Sequence, residues 1–352
     1  MKRILIVATG GTIGSSFIDG CRRLNADVAK STLLKNFAES GSRYAPLGTA
    51  LFEDSYFELK TLSENMTPQR LLAIADHIRD HREKDLSGII VLHGTDTLAF
   101  SSSMLSMLFC DIRIPMILVS GNRPPNEAKS NANANFQAAV ELICGGIAPN
   151  IYAVYRNSDD RIYLHIGSTL LQCADRSEDL LNASEKNMLL LDENNDLPAS
   201  ALARCRELSE KRRTDMGPFM NGIEKLDADV LLIKPYVGLD YSRYDLDGIG
   251  GVVHGTYHSG TVCVDDEYER LAVSYLCKRC ASLKIPVYVA PCKLDKDQYE
   301  SAYKAESSGI RPLNFTVETA YCKLLIGVSA GLSQNDLCEF MQKEINGELL
   351  DQ

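Results

Sequence analysis

Ile4-Leu5-Ile6-Val7-Ala8-Thr9-Gly10-Gly11-Thr12-Ile13-Gly14 opens the chain, and Ile89-Ile90-Val91-Leu92-His93-Gly94-Thr95-Asp96-Thr97 repeats its plan further along. In both, an unbroken apolar run ends in a turn of glycine and threonine. Such a run, bounded by turn residues, reads as a strand buried on both faces of a parallel sheet. In open α/β sheets, ligands gather at the carboxyl ends of the strands. Two hydroxyl-bearing turns at corresponding strand ends, with Asp96 beside one of them, can therefore serve a single site. Taken singly, each turn has a plainer reading: Gly10-Gly11 as a strand-to-helix turn, and Thr97 as the cap of a helix from Leu98 to Phe109. Neither has phosphate-binding spacing, because G-x-G-x-x-G is incomplete and no G-x-x-x-x-G-K-[ST] occurs. Together the two turns favour a site.

Working outward, further strand-like runs fall at 114–119, 150–155, 187–191, 229–234, 249–254 and 285–290. Helical periodicity lies between several of them. Pro68 to Arg79 puts Leu71, Leu72, Ala75 and Ile78 on one face, and 98–110, 130–143, 267–282 and 333–345 behave alike. Alternating strands and helices imply an α/β fold with a parallel sheet and right-handed crossovers. A chain of 352 residues suggests two domains. The polar, Pro- and Gly-containing stretch 196–226 is the expected linker, between a larger domain at 1–195 and a smaller α/β domain at 227–352.

Composition narrows the function. The sequence is 45% hydrophobic and 24% charged, with a formal net charge of −10, and it has no long basic run. These features speak against a nucleic-acid surface. No apolar stretch approaches the length of a membrane span. Strand-like residues begin at Arg3, which leaves no room for a secretory signal, and the eleven cysteines read as reduced core thiols. A cytoplasmic location is expected. Cys277-Lys278-Arg279-Cys280 has C-x-x-C form but lies within an amphipathic helix pattern, without the second pair that zinc would need. His77 and His81 lack the intervening glutamate of a zincin, and are expected on an exposed helix face. The charged run Glu207 to Asp215 reads as the solvated end of a helix plus linker. No metal or cofactor is called for.

Both opening turns resemble the signature segments of the bacterial-type L-asparaginase/glutaminase family: A-T-G-G-T-I at the first, H-G-T-D-T at the second. Ser63-Glu64-Asn65-Met66-Thr67-Pro68 is similar to the family's D-S-x-N-M-T-P stretch, with Leu62 where Asp is usual. Gly121-Asn122-Arg123-Pro124 resembles the loop after the next strand. Ser130-Asn131-Ala132-Asn133-Ala134-Asn135 resembles S-D-G-x-x-N, with Asn131 in place of Asp. The resemblance runs from residue 3 to about residue 345. It implies a two-domain asparaginase-like fold and amide hydrolysis without a cofactor, acting on L-asparagine and possibly on L-glutamine, in a homodimer or homotetramer. It further implies Thr12 as the nucleophile forming a β-aspartyl ester, with Thr95 as a second catalytic threonine and Asp96 pairing with the substrate ammonium. Ser63 and Glu64 would hold the α-carboxylate and α-amino groups. Backbone N–H groups near Gly11–Thr12 and Gly94–Thr95 would be oxyanion donors, and the Asn122 carbonyl would accept from the leaving amide.

Two departures stand out. The family carries a lysine in a stretch like G-T-R-x-x-K. The matching segment here is Gly167-Ser168-Thr169-Leu170-Leu171-Gln172, and no lysine occurs between Asn157 and Ser184. A glutamine amide can hydrogen-bond but cannot take up a proton near neutral pH. Lys129 is the substitute to consider. The family also places a tyrosine on a mobile loop soon after the nucleophile turn. Here the next tyrosine is Tyr44, far downstream, and Gly14 to Asp27 offers only Phe17. In the C-terminal half, His258-Ser259-Gly260-Thr261-Val262 resembles a turn that reaches a neighbouring subunit's site. Thr261 would be the contributed residue, unless Gly260 simply serves a strand-to-helix turn. Phe315 to Ala320 is similar to the family's D-M-T-x-E-A segment and reads as a helix cap.

Two functions stay open: an amidohydrolase, with a modified proton relay, and a binding or regulatory homologue that has lost turnover. The intact Thr12, Thr95 and Asp96 weigh toward the enzyme. The corresponding component of a tRNA-dependent amidotransferase carries an extra N-terminal domain, whereas this chain starts at its first strand, so that option ranks below both.

Overall fold

The structure is a computed structural model that describes residues 3–18, 21–55, 57, 59–81, 85–293 and 300–351. The chain divides into two units, one reaching to Gly222 together with Ile345–Gly347, the other Ile223–Glu344 with the last residues from Glu348.

The first unit is built on a sheet in the order β4-β1-β5-β6-β7-β8-β9. These strands are β1 (Arg3–Ala8), β4 (Phe52–Asp54), β5 (Leu86–Leu92), β6 (Met116–Val119), β7 (Ile151–Arg156), β8 (Ile162–Ile166) and β9 (Met188–Leu190). From β4 to β7 all pairings are parallel, while β8 and β9 are antiparallel additions at one edge. The central strands are almost wholly buried, as their continuous apolar runs require of strands covered on both faces. Ala8, Leu92, Val119 and Val154 lie level with one another across the sheet, so the turns that follow β1, β5 and β6 share one edge.

Helices α1 (Ala26–Ala38) and α4 (Ala132–Cys144) cover one face. There Phe37, Phe52 and Phe136 meet with ring centroids 5.7, 6.1 and 5.8 Å apart. Helix α3 (Leu98–Leu108) packs against β7 and against α2 (Pro68–Arg79). Residues 15–18 (β2) and 21–24 (β3) form an antiparallel ladder directly after the first turn.

Residues 196–226 are not a linker. They hold α5 (Ala199–Lys211) and α6 (Gly217–Asn221), both within the first unit. Ala201, Cys205 and Leu208 of α5 are buried, at the i, i+4, i+7 spacing of an apolar stripe. His77 and His81 do not mark an exposed face either. Their rings lie 4.7 Å apart, with Phe57 5.0 Å from His77, and both are half-buried.

The second unit carries a parallel sheet of β10 (Val230–Ile233), β11 (Gly251–His254), β12 (Val287–Val289) and β13 (Arg311–Pro312). Helix α7 (Val273–Ser282) buries Cys277 and Cys280 in its core. After α8 (Glu300–Ser307) comes α9 (Val317–Ser329), capped by the Thr316 hydroxyl, which accepts from the Thr319 N–H at 3.2 Å. Lys323 of α9 is fully buried and paired at 3.0 Å with an equally buried Glu348, and its ammonium sits 4.5 Å above the Phe315 ring. The unit ends with α10 (Gln334–Gln342). Among the described residues no helix is long and apolar enough to cross a membrane.

Three histidines make the fold acid-sensitive. Burial lowers the pKa of His93, and takes His165 down to about 3 and His254 to about 4. Each is neutral when folded, whereas the unfolded imidazole takes up a proton below about pH 6.5. Stability from these groups is therefore complete above pH 6.5 and is lost as the pH falls; for His165 and His254 the loss is about 1.4 kcal/mol per pH unit until their folded values of about 3 and about 4 are reached. His165 has neither ring nitrogen hydrogen-bonded among the described residues. His165→Leu is expected to flatten the fall of the denaturation midpoint between pH 6 and 4, as read by urea melts at each pH. An unchanged slope would refute this.

Candidate active site

The site is assembled by main chain meeting main chain. Beyond β1, the Thr9 N–H and hydroxyl both donate to the Leu92 carbonyl, at 3.0 and 2.9 Å. The Thr61 N–H donates to the Thr9 carbonyl at 2.8 Å, and the Gly11 N–H to the Thr61 carbonyl at 3.0 Å. The segment from Thr61 thus runs alongside the turn as a short parallel extension of the sheet.

Glycine is obligatory at this junction. Gly10 and Gly11 have φ of +117° and +73°, a region open to glycine and costly for other residues. A Cβ at Gly11 would lie 2.3 Å from the Gly94 Cα. One at Gly94 would lie 2.4 Å from the Ser63 Oγ and 2.9 Å from the Gly11 Cα. Three segments distant in sequence are therefore in direct contact: the turn bearing Thr12, the loop bearing Ser63 and Glu64, and the turn bearing Thr95 and Asp96.

Around this junction the side chains are arranged for access. Ser63 is buried, Thr12 and Thr95 are half-buried, and Glu64 and Asp96 are exposed. The Ser63 hydroxyl donates to Asp96 Oδ2 at 2.8 Å, and the Thr97 hydroxyl to the Ser63 carbonyl at 2.9 Å. Arg70 of α2 braces the loop from below, donating to the Thr61 hydroxyl at 3.0 Å and to the Asn65 carbonyl. Thr12 itself opens a short 3-10 turn to Gly14, closed by the Gly14 N–H donating to the Gly11 carbonyl at 3.0 Å.

His93 supports the second turn from inside. Its Nδ1 lies 2.8 Å from the Gly94 carbonyl and its Nε2 2.9 Å from the Ser101 hydroxyl. Burial lowers its pKa, against the opposing Gly94 bond and Asp96 charge. The imidazole is therefore neutral, with Nδ1–H donating to Gly94 and Nε2 accepting from Ser101. That is the only assignment giving each nitrogen a complementary partner.

Asn122 lies on the turn after β6. Its side-chain oxygen accepts from the Asn131 N–H at 3.1 Å, and its amide donates to Glu178 at 3.1 Å. Asn131 returns the bond to the Asn122 N–H at 2.9 Å and donates to the Arg156 carbonyl at 2.8 Å. The second of these is a donation the family's aspartate could not make when ionised. Asn131 and Asn135, whose amide donates to the Ser120 carbonyl at 2.9 Å, fix the loop after β6 to the end of β7.

From β8 the chain turns through Gly167–Thr169 and rises past α3 to Gln172 and Cys173. Leu171 N–H is bonded to the Leu181 carbonyl at 3.1 Å on the way. The Cys173 thiol is pushed up to about 11, first by burial and then by the negative charge of Asp96. Gln172 is half-buried, and its Oε1 is buried without a hydrogen-bond partner among the described residues. Lys129 is exposed on the loop before α4.

Tyr44 goes elsewhere. Helix α1 starts against the first turn, with the Asn25 N–H bonded to the Gly14 carbonyl at 2.8 Å. Its 13 residues carry the chain about 20 Å away. Tyr44 lies beyond the far end of α1, under the Arg43 guanidinium at 5.3 Å and before β4, which enters beside Ile4 at the start of β1. In the second unit Thr261 closes a tight turn, its carbonyl accepting from the Tyr257 N–H at 2.9 Å, with Gly260 at φ +73°. Sequence reasoning missed Arg70, Thr97 and Cys173. Of these, only Thr97 lay inside a recognised motif.

Comparison with known proteins agrees with this architecture. Residues 3–179 match the family described as Asparaginase, N-terminal. The D-type subunit of glutamyl-tRNA(Gln) amidotransferase from Methanosphaera stadtmanae is 28% identical over 364 residues, spanning 99% of this chain and 77% of that protein. Its namesake in Methanococcus maripaludis is 23% identical over 363 residues, spanning 99% and 81%. Among solved structures, the thermostable L-asparaginase from Thermococcus kodakarensis superposes with a TM-score of 0.74 at 21% identity, covering 99% of this chain and 100% of that one. L-asparaginase I from Vibrio cholerae gives 0.70 at 19%, covering 99% of each. At such identities the structural likeness speaks for the two-domain fold alone. The sequence match, spanning half the chain and both threonine turns, shows that this protein belongs to the asparaginase family.

Proposed function

We propose that this protein hydrolyses the side-chain amide of L-asparagine to L-aspartate and ammonia, with Thr12 as nucleophile and a weakened proton relay. The observation that carries the reading is the contact of Gly11, Gly94 and Ser63, which brings the Thr12 and Thr95 turns together with both threonines half-buried and Glu64 and Asp96 exposed. Thr12 Oγ would attack the amide carbon. Backbone N–H groups of the two turns would hold the oxyanion, and the Asn122 carbonyl would accept from the leaving amide. The substrate's α-amino and α-carboxylate groups would be held by Asp96, Glu64 and Ser63. Water would then release aspartate from the ester on Thr12. The reaction needs no cofactor, and a cytoplasmic setting suits it. In a homodimer or homotetramer, Thr261 would reach the neighbour's site.

Gln172 sets the rate in this reading. It stands where the family resemblance calls for a lysine and offers a hydrogen bond but no charge, so asparagine would be bound well and turned over slowly. In the limit, the protein is a sensor of asparagine or aspartate. A second reading rests on the relatives: two named as amidotransferase subunits align along nearly the whole chain, which favours glutamine as an amide source. Ammonia release from L-asparagine and from L-glutamine, measured side by side on purified protein, separates these readings. Release from asparagine at least tenfold faster supports the proposal. Preference for glutamine transfers it to the second reading, and binding without release to the sensor.

A further inference from the structure

The edge of the first sheet opposite the threonine turns holds a cavity of about 890 Å³, within the range of small-molecule sites. It opens where the strands begin: Leu86 is the first residue of β5, Ile114 precedes β6 and Pro149 precedes β7. Its floor is apolar, formed by Ile78, Leu86, Ile89 and Phe109, each buried.

The charge on its walls is unusual for so acidic a chain. Arg212 lines the cavity and is only 9% exposed. Its guanidinium donates to the Ile112 carbonyl at 2.8 Å, to the Ser209 carbonyl at 3.0 Å and to the Ser209 hydroxyl at 3.4 Å. No carboxylate among the described residues forms an ion pair with it. Arg113, exposed on the same wall, makes no hydrogen bond or ion pair among them. His81 adds a third nitrogen base, with Nδ1 held 2.7 Å from the His77 carbonyl. Asp111 is the acidic group of the lining, and its Oδ2 is already engaged by the Asn221 amide at 3.2 Å. Burial lowers the pKa of the Arg212 guanidinium, outweighing the nearby Asp111 charge that favours the cation, and an incoming anion would relieve this desolvation cost.

We propose that this cavity binds an amphipathic anion, with its acidic head between Arg113 and Arg212 and its apolar body on Ile78, Leu86, Ile89 and Phe109. A guanidinium accepts carboxylate and phosphate heads alike through paired N–H donors. The site is independent of the Thr12 turn, from which the height of the sheet separates it.

Calorimetric titration of the intact chain with decanoate, monodecyl phosphate and neutral decanamide tests this. At least one of the two anions should bind saturably, at one site per chain and about tenfold more tightly than decanamide, which corresponds to about 1.4 kcal/mol. The tighter anion identifies the head group. Arg113→Gln should weaken that anion about fivefold or more while leaving the thermal midpoint unchanged, since Arg113 makes no hydrogen bond or ion pair among the described residues. Thr12→Ala should titrate like the parent. The proposal is overturned if none of the probes binds, if decanamide binds as tightly as both anions, or if Arg113→Gln titrates as wild type. None of these outcomes depends on whether the protein cleaves amides.

Discussion

Thr12→Ala is expected to lower ammonia release from L-asparagine by about 10³-fold or more while leaving the fold intact. Loss of a nucleophile removes the covalent route altogether, and what survives is the effect of binding and oxyanion donors on direct attack by water. Thr12 is half-buried, and the turn that carries it is closed by main-chain bonds from Gly11 and Gly14, so alanine should be accommodated without strain. Parallel measurement of the thermal midpoint and of aspartate affinity checks the two halves of the statement. An alanine variant that binds aspartate, melts like wild type and still releases ammonia at the parent rate would remove Thr12 from the chemistry.

Gln172→Lys is expected to act in the other direction, raising kcat for asparagine by about 10²–10⁴-fold, the range general acid–base assistance supplies. The position lies next to Cys173, whose thiol already feels the Asp96 charge. An ammonium introduced there would stand in the field of that carboxylate, and the unpartnered amide oxygen of Gln172 would be removed at the same time. KM should change little, because the groups assigned to the substrate's amino and carboxylate ends are left in place. Steady-state kinetics on both proteins decide it. If the wild type is already fast and Gln172→Lys slows it, the proton passes through other residues, with Lys129 the first to replace. Thr12→Ala should silence the gain in the lysine background.

The sequence announced the central strands because they are buried on both faces, and burial of that kind leaves an unbroken apolar run. Strand β4, Phe52-Glu53-Asp54, was hidden for the opposite reason: it is short, lies at the sheet edge and carries two carboxylates. Strand β8 alternates Tyr163 and His165 with apolar residues and so broke the pattern expected of a parallel strand, as an antiparallel addition does. Helix α5 was obscured by charge, because composition weighs its many exposed residues more than the three that are buried. The residues of the two turns and of the Ser63 loop were legible as motifs. Their contacts were not: the Ser63–Asp96 bond and the Arg70 brace join positions up to tens of residues apart, and only the folded sheet brings them into range.

The glycine junction separates two things that enzymes usually encode together. Where Thr12 stands is settled by peptide groups of Thr9, Gly11 and Thr61 and by the bare α-carbons of Gly11 and Gly94. What surrounds it chemically is, in the proposed reading, settled by side chains such as those at 64, 96 and 172. In the proposed reading, substitution at the latter positions would alter rate or substrate preference without displacing the Thr12 hydroxyl. Single substitutions at those positions should therefore change the chemistry around Thr12 while every variant keeps the same placement of its backbone.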